Sequence, residues 1–459
     1  MTHAPGTHPP TIHAPVTGPA EPHTPPPTTL RARAARTAEW TALLAACLTI
    51  AWGPLAQGSA FSWGFSGLIL LGSVTAALTL LASGLRGHLD LPNPLMTLSA
   101  LTFLAWVWIS GSGAPDRLEG LRWAGIWTAT LGTTLCVHTL ARTHARQQTV
   151  LRAFLLTGGA AVTLALMQQQ GHLIPGFTYL NGVPEKILTG PYFHPSHYSG
   201  YLITVAALTS TVLLNTRPGW HTLPILALAA GVQYTNLFTD GSSIPAVILA
   251  AGVPVIVWAW KHRPWAGLTL TAAALAAATW AVITLTTPAG QVQFNALKGQ
   301  LGIESQNLEG FVQDREQIHR FGVTMWEGHQ YRGSGVGQWA TEYQRYRPEP
   351  AKGLTATYVN YAHSDYLQVA AEVGLIGAAL LSLTLLSSLI GRGWAPLAMT
   401  GAAILPVYLF TGLYDSHLSA IPGTMIGAYV LILGARHVQA VTRTDRRGMP
   451  ADTQVNAPT

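Results

Sequence analysis

The stretch YVNYAHSDYLQVAAEVGLIGAALLSLTLL, Tyr358 to Leu386, puts His363, Asp365 and Glu372 at the head of a segment that is otherwise apolar. An imidazole titrates near neutrality, so His363 is the group of this cluster that can take up or release a proton there. Asp365, Gln368 and Glu372 follow at i, i+3 and i+7 and share one helix face, while His363, Leu367, Ala370, Gly374 and Gly377 populate a neighbouring one. A lipid-facing acid at a span's centre costs about 2.5–3.5 kcal/mol. Glu372 must therefore face protein or a wet cavity, either bonding a neighbouring helix or supporting a site.

Two further stretches supply complementary groups. NGVPEKILTGPYFHPSHYSGYL offers Lys186, Tyr192, His194 and His197 just before an apolar run resumes. DREQIHRFGVTMWEGHQYRGSGVGQW starts with Asp314 placed to cap a helix, puts Arg315 in its first turn and spaces Ile318, Phe321, Met325 and Trp326 as an apolar face. An Arg fork and a Lys point charge suit a diphosphate ester, and a helix N-terminus adds amide donors. Taken singly, a loop histidine is an interfacial residue and Arg315 a solvated charge; a shared side of the membrane is what joins them. Gly333 to Gly337, GSGVG, lacks the strand-to-helix context of a nucleotide loop and reads as a tight turn. No zinc spacing is present, Cys47 and Cys136 fall inside apolar runs as packing residues, and no metal or other cofactor is expected.

The elements that must position these groups are membrane helices. Of 459 residues 49% are apolar and only 10% charged, against about 25% charged in soluble domains. Apolar runs of the length needed to cross roughly 30 Å of hydrocarbon begin near Trp40, Gly64, Leu95, Gly120, Val150, Tyr198, Thr222, Ser243, Trp265, Asp365, Trp394 and His417. The expected fold is an all-α polytopic membrane protein of about twelve spans. A large, partly helical periplasmic loop, 286–364, separates spans nine and ten; spans one to nine occupy 39–285 and ten to twelve 365–437. Residues 1–38, rich in Pro, Thr and His, cannot bury a core and read as a disordered tail rather than a metal-binding tract, and 438–459 form a second tail. The amino end lacks the charged-then-apolar order of a secretory signal, so the first apolar helix is expected to direct insertion. With both termini cytoplasmic, most of the 25 Lys and Arg fall inside, among them Arg31, Arg86, Arg142, Arg146, Lys261 and Arg392. That bias accounts for the net charge of +6 without a nucleic-acid partner. Under this parity His363, Arg315, Lys186 and His197 all lie on the outer face.

Three of these stretches resemble the bacterial O-antigen ligase and polymerase family. They are His363, Ser364, Gly374 and Gly377; Arg315 followed by Gly333, Gly335 and Gly337; and LTGPYFHPSHYSGYL, with Ser196 where the family usually has Asn. The resemblance implies a GT-C-like membrane glycosyltransferase of the inner membrane, working without a metal in lipopolysaccharide or other cell-envelope polysaccharide synthesis. Its donor would be a glycan on undecaprenyl diphosphate, and its acceptor a hydroxyl on another glycan, lipid A core or protein. By that similarity Arg315 holds the diphosphate and His363 is the general base or a donor to the leaving group. Lys186, Tyr192, His194 and His197 would join the substrate site, with Asp365, Glu372, Gly374 and Gly377 in support. The family's second arginine is missing: Ser243 aligns there, near Asp240, which leaves Lys186 as the substitute cation. Ligase and polymerase are not separated by the sequence. A transporter or flippase would need ionisable residues deep in several helices or two related halves, and a binding scaffold would survive loss of His363.

Overall fold

A computed structural model describes residues 30–178, 187–239, 243–286, 292, 308–347, 359–390 and 396–434. The regular structure among them is helical: α1 (Leu30–Leu55), α2 (Ser62–Arg86), α3 (Pro94–Ser112), α4 (Arg117–Leu140), α5 (His144–Gln169), α6 (Pro195–Asn215), α7 (Leu223–Leu237), α8 (Ile244–His262) and α9 (Pro264–Thr286). After α9 come α10 (Leu308–Glu327), a short α11 (Trp339–Glu342), α12 (Asp365–Ser387), α13 (Pro396–Thr411) and α14 (Pro422–Tyr429), the last continued by a π turn over Val430–Gly434. Seven of these, α1, α2, α3, α5, α6, α8 and α12, are long and apolar enough to cross a membrane. The chain is a polytopic helical membrane protein.

Local chemistry sets many of the helix starts. Asn93 accepts from the Met96 amide at 2.7 Å ahead of Pro94, Asp116 from Glu119 at 3.0 Å, and Ser364 from Leu367 at 3.4 Å. The first helix begins at Leu30, inside the segment that reads as tail, because Leu30 to Arg36 is a run of strong helix formers. Arg31 there donates to the Leu85 carbonyl at 2.9 Å, closing the last turn of α2.

The bundle is organised around α6, 83% of whose apolar window is buried and which packs against α7, α8, α13 and α14. α1, α2 and α4 pack together beside it, with α3 bridging α4 and α12. Edge-to-face contacts of Trp127 with Phe103 and Tyr429, at 5.0 and 5.6 Å between ring centroids, join α4 to α3 and α14.

α12 departs from the continuous helix expected of it. Gly374 has φ +67° and ψ −176°, a region open essentially to glycine alone. Residues 330–335 run through the break. Ser334 and Gly335 donate to the Ala371 and Glu372 carbonyls at 2.8 and 2.9 Å, and Trp106 Nε1 to that of Val373 at 2.9 Å. In return the amides of Leu375 and Ile376 donate to Gln330 and Tyr331. Non-helical backbone survives in a membrane helix only where protein satisfies its polar groups, and residues 330–335 do that here.

Lysine and arginine bias has a structural counterpart at the far end of the bundle. Glu39 pairs with Arg86 at 3.0 Å and with Arg146, which also lies over the Trp40 ring, while Asp90 pairs with Arg142. The twenty-odd residues of α4 separate this network from Asp116 by roughly 35 Å at 1.5 Å per residue. Glu39 is the shared acid of the buried Arg146 and the half-buried Arg86, so Glu39→Ala should cost about 3 kcal/mol. A thermal melt of the detergent-solubilised variant reads this as a lower midpoint; an unchanged midpoint would deny the network any role in stability.

Candidate functional site

The site forms where the head of α12 meets α10, the start of α6 and the connection 412–421 between α13 and α14. Ser364 does the joining. Its side chain caps α12 and donates to the Gly412 carbonyl at 2.9 Å, and its amide donates to Ser416 Oγ at 2.9 Å. Asp365 completes the clamp by accepting from the Leu418 amide at 2.9 Å and Ser419 Oγ at 2.6 Å. Both are fastening groups, which explains a small polar residue and an acid directly after the histidine.

His363 sits at φ +50°, a conformation rare for a residue with a side chain. The clamp holds it there from one side, and on the other His319 of α10 donates from Nε2 to the His363 carbonyl at 3.1 Å. Its ring lies 4.2 Å from that of Tyr361, and Nδ1 is 3.7 Å from Asp415 Oδ1, within ion-pair range and beyond a hydrogen bond. His417 Nε2 approaches the other oxygen of Asp415 at 3.7 Å. Arg315 is 9% exposed and close enough to act on both His363 and Asp415.

Electrostatics keep the imidazole neutral. Burial pushes His363 down to about 4, with Asp415 opposing and Arg315 adding to the shift. Burial acts upward on Asp415, yet His417, His363 and Arg315 together hold its carboxyl well below the usual range. The sign follows directly: a base with a depressed folded pKa is proton-free above about 4, and the stability that neutrality brings is present above 6.5 and lost as pH falls toward 4. The acid limb of a pH–rate profile that depends on neutral His363 should accordingly fall near pH 4. A limb near 6.5 would mean a solvated histidine.

The remaining sequence candidates divide. His197 is fully buried and its Nε2 pairs with the Tyr361 hydroxyl at 2.6 Å, which links α6 to His363 through one aromatic ring. His194 is the cap of α6: its Nδ1 faces the Ser196 amide at 3.3 Å and Oγ at 2.8 Å, and its ring is 5.3 Å from that of His197. Tyr192 turns into the bundle against Gly58, with Tyr201 and Tyr198 at 5.8 and 6.3 Å. Its neighbour Phe193 faces the cavity instead. Lys186 and Asp240 lie outside the described residues. Ser243 is fully buried at the start of α8.

Arg315 requires a correction. The apolar spacing of Ile318 and Met325 continues backward through Leu308 and Phe311, so α10 starts at Leu308 and Asp314 is an interior residue. Arg315 is two turns into the helix, and the helix N-terminus adds no amide donors beside it.

Glu372 is likewise placed by contacts that its helix does not predict. Its carboxylate accepts from the amides of Gly337 and Trp339 at 2.9 and 3.0 Å and from Gln368 Nε2 at 2.7 Å. Gly333, Gly335 and Gly337 all adopt positive φ, which lets the turn between α10 and α11 press against the broken helix. Gly377 lies against Trp106, giving α3 close access to α12. The apolar face of α10 closes this layer: Ile318 and Met325 form a small core with Trp339, Tyr343 and Ala371.

Beside Tyr361 opens a cavity of about 390 Å³, lined among others by His197, Gln368, Glu372, Arg122 and Trp123. Among the described residues no group of three or more His, Cys, Asp or Glu is arranged to hold a metal ion.

Sequence reasoning overlooked Asp415, His417, Tyr361, His319 and Arg122. The signal for the first two was present, since YDSHLS interrupts the last apolar runs, but a span start near His417 absorbed it.

No curated protein matches the chain. A family model described as O-antigen ligase matches residues 226–382, which contain Arg315, His363, Glu372, Gly374 and Gly377. Over these residues, which include the Gly374 break in α12 and the histidine at the head of that helix, the chain is similar to the O-antigen ligase family.

Proposed function

We propose that the protein transfers a glycan from an undecaprenyl-diphosphate carrier to a hydroxyl acceptor at the periplasmic face of the inner membrane, with both termini cytoplasmic. The observation that carries this reading is the convergence on neutral His363 of Arg315, from the same matched segment, and Asp415, from the connection between α13 and α14. Asp415 faces Nδ1 of His363, leaving Nε2 to accept the proton. In the step, the acceptor oxygen attacks the anomeric carbon and its proton passes to His363. The bond from that carbon to the carrier's phosphate oxygen breaks, and the diphosphate leaves with its electron pair beside Arg315. A general base contributes typically 10²–10⁴-fold and a cation placed at the developing charge adds to it. No metal enters this step, because the guanidinium supplies the positive charge.

The test uses purified full-length protein, a defined carrier-linked repeat and a hydroxyl acceptor. Parent protein should form product and His363→Ala should not; equal turnover would sink the assignment. A single capped acceptor marks a ligase, and a growing chain a polymerase.

A further inference from the structure

The transfer step employs His363 and Arg315 but leaves the cavity beside Tyr361 unused. Its volume, about 390 Å³, falls in the roughly 300–1,000 Å³ range of small-molecule sites. Four aromatic rings, Phe65, Trp123, Phe193 and Tyr361, line it together with the amides Asn360 and Gln368. Three acids, Asp116, Glu119 and Glu372, oppose the single cation Arg122.

Those charges already have partners within the protein. Arg122 pairs with Glu119 and lies 4.4 Å over the Phe65 ring, Trp123 Nε1 donates to the other Glu119 oxygen at 3.0 Å, and Glu372 is held by two amides and Gln368. An acid-rich wall whose one guanidinium is neutralised repels a diphosphate. Aromatic faces with polar edges fit a sugar ring, which presents C–H faces to stack and hydroxyls to bond. A second observation points to a ligand: His197 lines the cavity, is fully buried, and has Nδ1 without a partner while Nε2 fixes the Tyr361 hydroxyl.

We propose that this cavity is the acceptor-sugar subsite: it takes a neutral sugar ring between Trp123, Phe193 and Tyr361 and delivers a ring hydroxyl past Tyr361 to His363, 4.2 Å from ring to ring. His197 is a positioning residue that orients Tyr361. The assignment rests on the transfer reading, and the donor's own first sugar shares the same chemistry, so the experiment separates the two.

Saturation-transfer NMR on the detergent-solubilised full chain, with methyl glucoside, methyl N-acetylglucosaminide and methyl rhamnoside as probes, reads binding without catalysis. At least one glycoside should receive saturation, inorganic diphosphate should not compete, and Ala340→Trp, which fills the cavity from α11, should weaken the signal at least tenfold. Arg122→Gln, which frees Glu119 without adding bulk, should weaken it at least threefold and serves if the tryptophan variant does not fold. In the transfer assay Arg122→Gln should raise KM for the acceptor and leave KM for the carrier-linked donor unchanged. Absence of glycoside binding, competition by diphosphate, parent-like binding in both variants, or a rise confined to donor KM would each overturn the proposal. Failure of the transfer reading looks different: His363→Ala then turns over normally while glycosides still bind in the cavity.

Discussion

His363→Ala should transfer glycan about 10²–10⁴-fold more slowly than the parent protein and keep its elution profile and melting temperature. The size of the effect follows from two features. The imidazole is kept neutral by burial and sits beside Asp415, so it is free to accept a proton at every physiological pH. It is also held at positive φ by the Ser364 clamp and the His319 bond, an arrangement that costs backbone strain and positions the ring. Asp415 acts through His363, so Asp415→Asn alone should lose less than His363→Ala, and the double variant should be no worse than His363→Ala. A double variant slower than either single one would give Asp415 an independent role. Full activity in His363→Ala would remove the histidine from the chemistry altogether.

Gly374→Ala is expected to be the most disruptive change outside the reacting groups. A Cβ there would lie 2.2 Å from the Tyr331 carbonyl oxygen and 2.6 Å from the Arg332 amide, and the backbone conformation is closed to L side chains. Neither neighbour can yield, because both belong to the segment that satisfies the broken helix. Strain and clash together should cost about 4 kcal/mol. The measurement is a thermal melt of the solubilised protein beside the transfer assay: the midpoint should drop sharply and activity with it. Parent-like melting would show that α12 can close into a regular helix and that residues 330–335 do not depend on the break.

The two predictions test different links of one chain of causes. Gly374 opens α12 so that the Gly333 to Gly337 turn can lie in it, and Glu372 gathers that turn through the Gly337 and Trp339 amides. That fastening seats α11 and α10, and α10 carries Arg315 and His319 to His363. A segment that would otherwise be solvated thus becomes one wall of the candidate site.

What the amino-acid sequence determined by itself is what local rules can decide. Apolar runs of membrane-crossing length and their caps at Asn93, Asp116 and Ser364 depend only on neighbours along the chain. The same holds for the amphipathic face of α10 and for the glycines at 333, 335 and 337, since a turn without side chains announces itself in any context. The motif of His363, Ser364, Gly374 and Gly377 was legible as a family pattern for the same reason. Tertiary structure alone decided that Gly374 breaks its helix, because the break is stable only when residues forty positions earlier complete its hydrogen bonds. It also decided that Asp415 faces His363, that Tyr361 bridges His363 to His197, and that Arg122 is neutralised by Glu119 in a cavity wall. Each of these joins groups far apart in the chain, and no periodicity encodes such a meeting: helix packing sets which side chains share a pocket, and burial then sets their charge.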